Sequence, residues 1–378
     1  MRTEHHPLLP AAPGARHELI SLHYGTSHGR PGTGPKVYIQ ASLHADEVPG
    51  MLVAHHLRSR LAALDAAGRV AGEVVLVPAA NPLGLGQWML RSPQGRFEWG
   101  SGENFNRQFT DLTAAVLERC GDQLGADAQT NVALVRAALR GAVAALPATT
   151  SLEHLRRTLL GLAVDADVVL DLHCDGEALL HLYSTHAGWA AGGELLTRCL
   201  GAEVALLAGR SGGDPFDEAC SMLWPDLAER LGPAKPVPPA CLAATIELRG
   251  EGDVTHELAA RDADAILVYL HHRGAIQLDP APALPPSVCE PTPLAGSMPL
   301  HAPHGGVLVF LCEVGQRVRT GEPLAEIIDP ISGAASVLAS PVDGLFFARE
   351  RKRFAVAGMP IGKVAGREAL RQGSLLSA

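Results

Sequence analysis

The sequence predicts an α/β fold with a mixed sheet flanked by helices, followed by a smaller C-terminal all-β barrel-like domain. Apolar, β-branched runs bounded by turn residues recur through residues 1–278, and stretches with helical periodicity separate many of them. A proline-rich segment at residues 279–297 favours an extended linker. Residues 298–378 then hold short strand patterns punctuated by glycine and proline, with no convincing long helix.

The predicted elements of the first domain alternate along the chain. The strands have the sequences HELISLHY, KVYIQAS, GEVVLVPAANP, ADVVLDLHCD, ALLHLYS and CLAATIELRG. The helices cover Pro49–Leu64, Leu112–Leu146, Ser151–Leu162, Glu194–Leu200 and Thr255–His271. Strands that alternate with helices imply a substantially parallel or mixed sheet, in which ligands usually bind at the carboxyl ends of the strands.

Composition argues against several classes of function. The net charge is -9 without a Lys/Arg block, so no nucleic-acid partner is expected. No apolar run approaches the roughly 18 residues of a membrane span. The N-terminal sequence MRTEHHPLLPAAPGARHE lacks the pattern of a signal peptide, and we therefore predict a cytoplasmic protein. The seven cysteines are scattered without a CxxC pair, which indicates neither a disulfide framework nor a cysteine-based zinc finger.

One short stretch, ASLHADEVPG, places His44 and Glu47 three residues apart directly after an apolar strand. Alone, such a pair is more often a polar turn or a helix cap than a metal site. The fragment VVLDLHCD adds His173 at the end of another buried strand, and two His with one carboxylate are a standard ligand set for catalytic zinc. Asp171 either orients the imidazole of His173 or caps the strand.

Two further fragments carry candidate catalytic and binding residues. The sequence AATIELRG supplies Glu247 after an apolar run, either as a general base or as a solvent-facing carboxylate. The loop RFEWGSGENFNRQF holds Arg96, Asn106 and Arg107. An Arg fork grips a carboxylate bidentately and an Asn adds a neutral donor, although a loop Arg by itself is usually solvated.

The chain carries, in this order, the motifs HxxE, an Arg, NFNR, DLH and TIEL. Together these motifs resemble the M14-like zinc carboxypeptidase superfamily, specifically its succinylglutamate desuccinylase/aspartoacylase branch, over roughly residues 36–253. The resemblance implies a zinc-carboxypeptidase-like mixed sheet and one Zn²⁺ per chain. The roles it implies are zinc ligation by His44, Glu47 and His173, general base and acid for Glu247, binding of a substrate carboxylate by Asn106 and Arg107, and polarisation of the scissile carbonyl by Arg96. Arg91 of GQWMLRSP is a rival for that last role.

The C-terminal sequences GQRVRTGEPLAEI and SPVDGLFFARERKRFAVAGMPIGKVA resemble a biotinyl/lipoyl barrel. The tip between its halves, DPISGAASVLAS, lacks the lysine that such carriers modify. We therefore expect an unmodified domain that acts as a cap or an oligomer contact.

The leading hypothesis is a zinc-dependent amidohydrolase that cleaves the N-acyl amide bond of a small, carboxylate-bearing amino-acid derivative. A zinc carboxypeptidase acting on peptides is the first alternative. A non-catalytic binding or acyl-carrier protein is the second. The sequence leaves open the acyl group, the amino acid, and whether the chain forms a homo-oligomer.

Overall fold

A nine-stranded mixed sheet forms the centre of the N-terminal part of the chain. The computed structural model describes residues 1–25 and 34–376. Its strands are β1 (Arg2–Pro7), β2 (Glu18–Tyr24), β3 (Lys36–Ala41), β4 (Glu73–Val77), β5 (Trp88–Met89), β6 (Ser92–Pro93), β7 (Val168–Asp175), β8 (Glu177–Ala178), β9 (His181–Thr185), β10 (Val204–Ala208), β11 (Leu242–Gly250), β12 (Pro291–Pro293), β13 (Ser297–His301), β14 (Gly306–Phe310), β15 (Arg317–Val318), β16 (Pro323–Ile328), β17 (Ala335–Ala339), β18 (Gly344–Arg349), β19 (Phe354–Ala355) and β20 (Pro360–Gly366).

The helices are α1 (Pro49–Ala66), α2 (Pro82–Leu85), α3 (Thr113–Cys120), α4 (Ala128–Ala144), α5 (Ser151–Ala163), α6 (His186–Gly188), α7 (Glu194–Leu200), α8 (Phe216–Ser221), α9 (Leu223–Leu231) and α10 (His256–His272). Short 3₁₀ turns at Gly121–Gln123 and Leu294–Gly296 and a π-helical turn at Trp189–Gly193 complete them. Within the described ranges, no helix is both long and apolar enough to cross a bilayer.

The large sheet has the strand order β1-β2-β4-β3-β7-β11-β9-β10-β12. Its central strands β4, β3, β7 and β11 run parallel to one another, whereas β1, β2 and β9 pair antiparallel with neighbours. The predicted mixed sheet is confirmed. Because β3, β7 and β11 are adjacent and parallel, their carboxyl ends meet at one edge, where ligands bind in sheets of this type.

Helices cover both faces of this sheet. One apolar core packs beneath α3, α4, α5, α8 and α9, and includes the buried Trp224 and Phe105. The other packs beneath α1, α7 and α10, and includes Tyr269. The central strands are buried on both sides, which explains why their sequences read as nearly continuous apolar runs.

Four of the five predicted helices form nearly as expected, and the prediction of one helix over residues 112–146 is wrong. Two helices, α3 and α4, occupy that stretch and are separated by a 3₁₀ turn. A local interaction fixes where α4 begins: Asp127 caps its start by accepting a hydrogen bond from the N–H of Thr130 at 2.8 Å. In the large sheet, three strands, β1, β10 and β12, are additions to those expected from the sequence.

The C-terminal part forms two antiparallel sheets with strand orders β13-β20-β18-β15 and β17-β16-β14-β19 around a shared apolar core. The hairpin tip between β16 and β17 exposes Ile331, which is 96% accessible. Within the predicted linker, Pro291–Pro293 pairs with β10 and forms the last strand of the large sheet. The N-terminal and C-terminal parts also pair through strands β8 and β18. The division into residues 1–278, 279–297 and 298–378 stays a prediction.

Candidate metal centre and active site

The candidate residues converge because they follow or end neighbouring strands. His44 and Glu47 lie in the turn between β3 and α1, and His173 is near the end of β7. Glu247 on β11 is paired in register with His173. Ser42 just after β3 and Arg249 near the end of β11 have positive φ angles of 66° and 64°. Strained backbone of this kind concentrates at functional sites, and here it marks two of the three strand ends.

Glu47 bridges the two histidines. Its Oε1 lies 2.9 Å from His44 Nδ1, and its Oε2 lies 2.7 Å from His173 Nδ1. All three side chains are buried, and their candidate ligand atoms lie within 4.8 Å of one another. Among the residues that the structure describes, no other group of three or more His, Cys, Asp or Glu side chains is arranged to hold a metal ion.

The far sides of both imidazoles are also fixed. His44 Nε2 lies 2.8 Å from Asn104 Oδ1, and His173 Nε2 lies 3.0 Å from Asp171 Oδ2. Asp171 is in turn held by Gln40, whose Nε2 donates to Asp171 Oδ1 at 2.9 Å. Since Asn104 Oδ1 is an acceptor, we assign Nε2 of His44 as protonated, which directs its Nδ1 toward Glu47.

The charges in this cluster depend on one another. Burial lowers the pKa of His44 to about 4. Burial acts to lower the pKa of His173 as well, but Asp171 and Glu47 outweigh it and raise that pKa well above the usual range. Burial acts to raise the pKa of Glu47, yet the two histidines hold it well below its usual range. A metal ion needs neutral imidazole ligands, so binding here would release a proton from His173.

Glu247 lies beside this cluster without a polar partner for one of its oxygens. The side chain is half-buried, and Oε2 has no hydrogen-bond partner among the described residues. Burial, followed by the charge of Glu47, raises the pKa of Glu247 to about 8. A carboxyl group with a raised pKa at the edge of a cavity is typical of catalytic acids and bases.

The loop from Arg96 to Arg107 lies against the cluster of His44, Glu47 and His173. Arg96 Nη1 lies 3.2 Å from Glu47 Oε1 and 3.3 Å from His44 Nδ1. Arg91 instead lies exposed at the turn of the β5–β6 hairpin, so the structure brings Arg96 and not Arg91 to the cluster.

Asn106 and Arg107 lie next to each other in the cavity wall. Asn106 Oδ1 accepts a hydrogen bond from the N–H of Phe216 at 2.9 Å, and its Nδ2 lies 3.5 Å from His173 Nε2. Arg107 Nη1 donates to the carbonyl oxygen of Asn106 at 2.7 Å. Asp217 lies nearby at the start of α8, where burial, followed by the charge of Glu218, raises its pKa to about 7.

A cavity of about 640 Å³ opens above the cluster. Both parts of the chain line it, the C-terminal sheets through residues that include His301, Arg349, Lys363 and Arg371. This volume suits a small molecule. Sequence reasoning missed Asn104 and Lys363. Asn104 belongs to the quoted loop, but nothing in the sequence distinguishes it from Asn106, and Lys363 lies far from every motif.

Known proteins resemble this chain in sequence and in fold. Residues 33–135 match the family model of the succinylglutamate desuccinylase/aspartoacylase catalytic domain. No curated protein gave a significant match. A crystal structure of a succinylglutamate desuccinylase/aspartoacylase family protein from Shewanella amazonensis is similar over 97% of this chain and 98% of that chain, with 27% identity and a TM-score of 0.82.

A second protein described by those family names, from Shewanella frigidimarina, has 26% identity and a TM-score of 0.82, with 97% of each chain covered. The product-bound ectoine utilization protein EutE from Ruegeria pomeroyi shares the fold, with 17% identity, a TM-score of 0.65, and coverage of 96% of this chain and 95% of that chain. Residues 33–135 thus match the model of this catalytic domain, and almost the whole chain resembles solved structures that carry the succinylglutamate desuccinylase/aspartoacylase family names.

Proposed function

We propose that this chain is a zinc-dependent amidohydrolase that removes an acyl group from the nitrogen of a small, carboxylate-bearing amino-acid derivative. One observation carries the proposal: two imidazoles and a carboxylate converge within 4.8 Å in the wall of a cavity, beside Glu247 Oε2, which has no hydrogen-bond partner among the described residues. Hydrolysis of an amide requires polarisation of a carbonyl and activation of a water molecule, and this donor set suits both tasks.

His44, Glu47 and His173 would hold the metal, and the chemistry of these donors fits zinc. Two imidazole nitrogens and one carboxylate leave a coordination position open, as catalytic zinc sites do. In such a site zinc acts as a Lewis acid toward a carbonyl and makes water acidic enough to react near neutral pH. Asn104 and Asp171 would orient the two imidazoles from behind.

Glu247 is proposed as the general base and acid. Its side chain lies in the cavity wall beside His173, with Oε2 free of other hydrogen bonds in the described structure. It would accept the proton of the attacking water and later donate it to the leaving amine, so that the nitrogen departs as a neutral amine. A carboxyl group whose pKa lies near the working pH suits both halves of that transfer.

The arginines of the loop from Arg96 to Arg107 are proposed to bind or stabilise negative charge on the substrate. Arg107, with Asn106 beside it, would hold the substrate carboxylate through a bidentate grip. Arg96 contacts the two atoms of Glu47 and His44 that we propose as metal ligands. From its position beside the cluster, this guanidinium would stabilise the oxyanion that develops at the scissile carbonyl.

The size of the cavity favours a small substrate over a peptide. Residues of the C-terminal sheets form part of the wall, among them Arg349 and Lys363, and the cavity volume is about 640 Å³. An extended peptide needs an open cleft that continues past the metal. The contribution of the C-terminal part to the wall therefore supports the deacylase over the carboxypeptidase.

The test combines metal analysis with a substrate panel. We expect about one zinc per chain. At least one N-acetyl or N-succinyl amino acid should be hydrolysed from a panel that includes acidic and diamino members. A chelator should abolish this turnover, and added zinc should restore it. Cleavage of a short peptide with no turnover of the panel would favour the carboxypeptidase. A protein that binds no zinc and turns over neither class would overturn the proposal.

A further inference from the structure

Lys363 belongs to the C-terminal sheets but lies in the wall of the proposed active site. It stands on β20, and its ammonium group donates to Asp175 Oδ2 at 2.5 Å. Asp175 is the last residue of β7, two positions after His173. The same ammonium group also interacts electrostatically with the side chain of Tyr183 on β9. One side chain therefore joins the C-terminal part to two strands of the large sheet.

Those two strands lie on either side of β11, which carries Glu247. Tyr183 pairs in register with Thr245, and Asp175 pairs with Gly250, so the two contacts of Lys363 bracket Glu247 along the strand. The pairing of β11 with β7 is irregular between Glu247 and Gly250. The backbone ladder alone therefore holds this end of β11 less firmly than a regular strand.

The Lys363–Asp175 contact is partly shielded from solvent. The two side chains are 35% and 24% exposed, respectively. Although burial opposes it, the charge of Asp175 holds the pKa of Lys363 above its usual range, so the ammonium stays charged. A second ion pair between the two parts, Arg351 to Glu251 at 3.2 Å, is 58% and 48% exposed. Such exposed pairs contribute little, which makes Arg351 a matched control.

We propose that Lys363 is a positioning residue for Glu247, an inference that rests on the role of Glu247 in the proposed function. By pairing with Asp175 and lying near Tyr183, the ammonium group fixes the strands on both sides of the base. The C-terminal part thereby completes the active site and does more than narrow its entrance. General bases act only within hydrogen-bond reach, and a displacement of about 1 Å can reduce a rate by about 100-fold.

The test compares Lys363→Met, Lys363→Arg and Arg351→Met on an N-acyl amino acid that the wild type hydrolyses. For Lys363→Met we expect kcat to fall by about tenfold or more, with KM within about twofold and zinc content unchanged. Lys363→Arg should recover part of the loss because it keeps the charge, and Arg351→Met should match the wild type. A rise in KM with unchanged kcat would overturn the proposal, because it would make Lys363 a substrate contact.

Hydrogen exchange provides a readout that needs no substrate. The N–H of Glu251 donates to the carbonyl oxygen of Asp175 at 2.9 Å. Exchange at residues 247–251 should quicken in Lys363→Met and stay unchanged in Arg351→Met. Unchanged exchange in both would overturn the proposal even if Lys363→Met were inactive. If the wild type hydrolyses nothing in the panel, the proposed function fails, whereas the exchange comparison still decides whether Lys363 holds the end of β11.

Discussion

Replacement of Glu247 by Gln tests the proposed chemistry with the least disturbance of the fold. The amide has nearly the same shape as the carboxyl group but can neither accept the proton of water nor return it. Because Oε2 makes no hydrogen bond to the described residues, the substitution costs that atom no protein partner among them. The variant should therefore fold, bind zinc and retain the KM of the wild type.

The expected loss of turnover follows from the role of a general base. Such groups contribute roughly 10²–10⁴-fold, which corresponds to a barrier higher by about 3–5 kcal/mol. The loss should appear in kcat, because proton transfer occurs on the way to the transition state and not in substrate binding. Near-normal turnover would move the base elsewhere, with Glu251 and Asp253 as the next candidates.

The same substitution should change how stability depends on pH in the metal-free protein. Burial raises the pKa of Glu247 from 4.5 to about 8, so between these values the folded state binds the proton more strongly than the unfolded state. The stability contributed by this group is fully present below pH 4.5 and is lost as the pH rises through about 8. A tenfold difference in proton affinity between the two states corresponds to about 1.4 kcal/mol, so this contribution is at most about 5 kcal/mol.

Two assays check these expectations. Steady-state kinetics and metal analysis of the zinc-loaded protein measure turnover, KM and metal content. Urea unfolding of the metal-free protein at several pH values from about 5 to about 9, a range that spans the titration, compares the free energies of unfolding of the two proteins. Glu247→Gln should gain stability over the wild type as the pH rises. A difference that stays constant across this range would refute the electrostatic part of the reasoning.

Further predictions concern the metal ligands and the loop from Arg96 to Arg107. Alanine at His44 or His173 should strongly reduce zinc content while the fold is retained, as measured by metal analysis and circular dichroism. Asn104→Ala should weaken zinc affinity by about 10–100-fold, measured by competition with a chelator, because Asn104 orients the imidazole of His44. Arg107→Ala should lower kcat/KM by at least about tenfold, mainly through KM, and should lose most of the preference for a free acid over its carboxamide analogue. Arg96→Ala should lower mainly kcat, because the charge that it meets develops in the transition state.

Control variants for the zinc-content and kcat tests are available in the same chain. His55 is exposed on α1, so His55→Ala should leave zinc content unchanged, and Arg91→Ala should leave kcat unchanged. Full zinc occupancy in the variants of His44 or His173 would contradict the ligand assignment. Equal discrimination between acid and amide by the wild type and Arg107→Ala would mean that Arg107 does not hold the carboxylate.

The fold class and the most local parts of the site can be predicted from the amino-acid sequence alone. Buried central strands need apolar side chains on both faces, so the strands that carry His173 and Glu247 are visible as apolar runs. The spacing of His44 and Glu47 is equally visible, because both lie in one turn after β3. The break between α3 and α4 was not predicted, although Gly121 at the end of α3 and Asp127 at the start of α4 mark it in the sequence.

Which side chains meet depends instead on the tertiary structure. The order of strands places β7 between β3 and β11, and this order brings His173 beside Glu47 and Glu247, which are far apart in sequence. The course of the loop from Arg96 to Arg107 brings Arg96 to the cluster, whereas Arg91 lies exposed. Lys363 reaches the cavity only because β18 and β20 dock beside the end of β7. Sequence patterns report the local periodicity of burial, whereas contacts of this range depend on how the sheets pack, which no local pattern encodes.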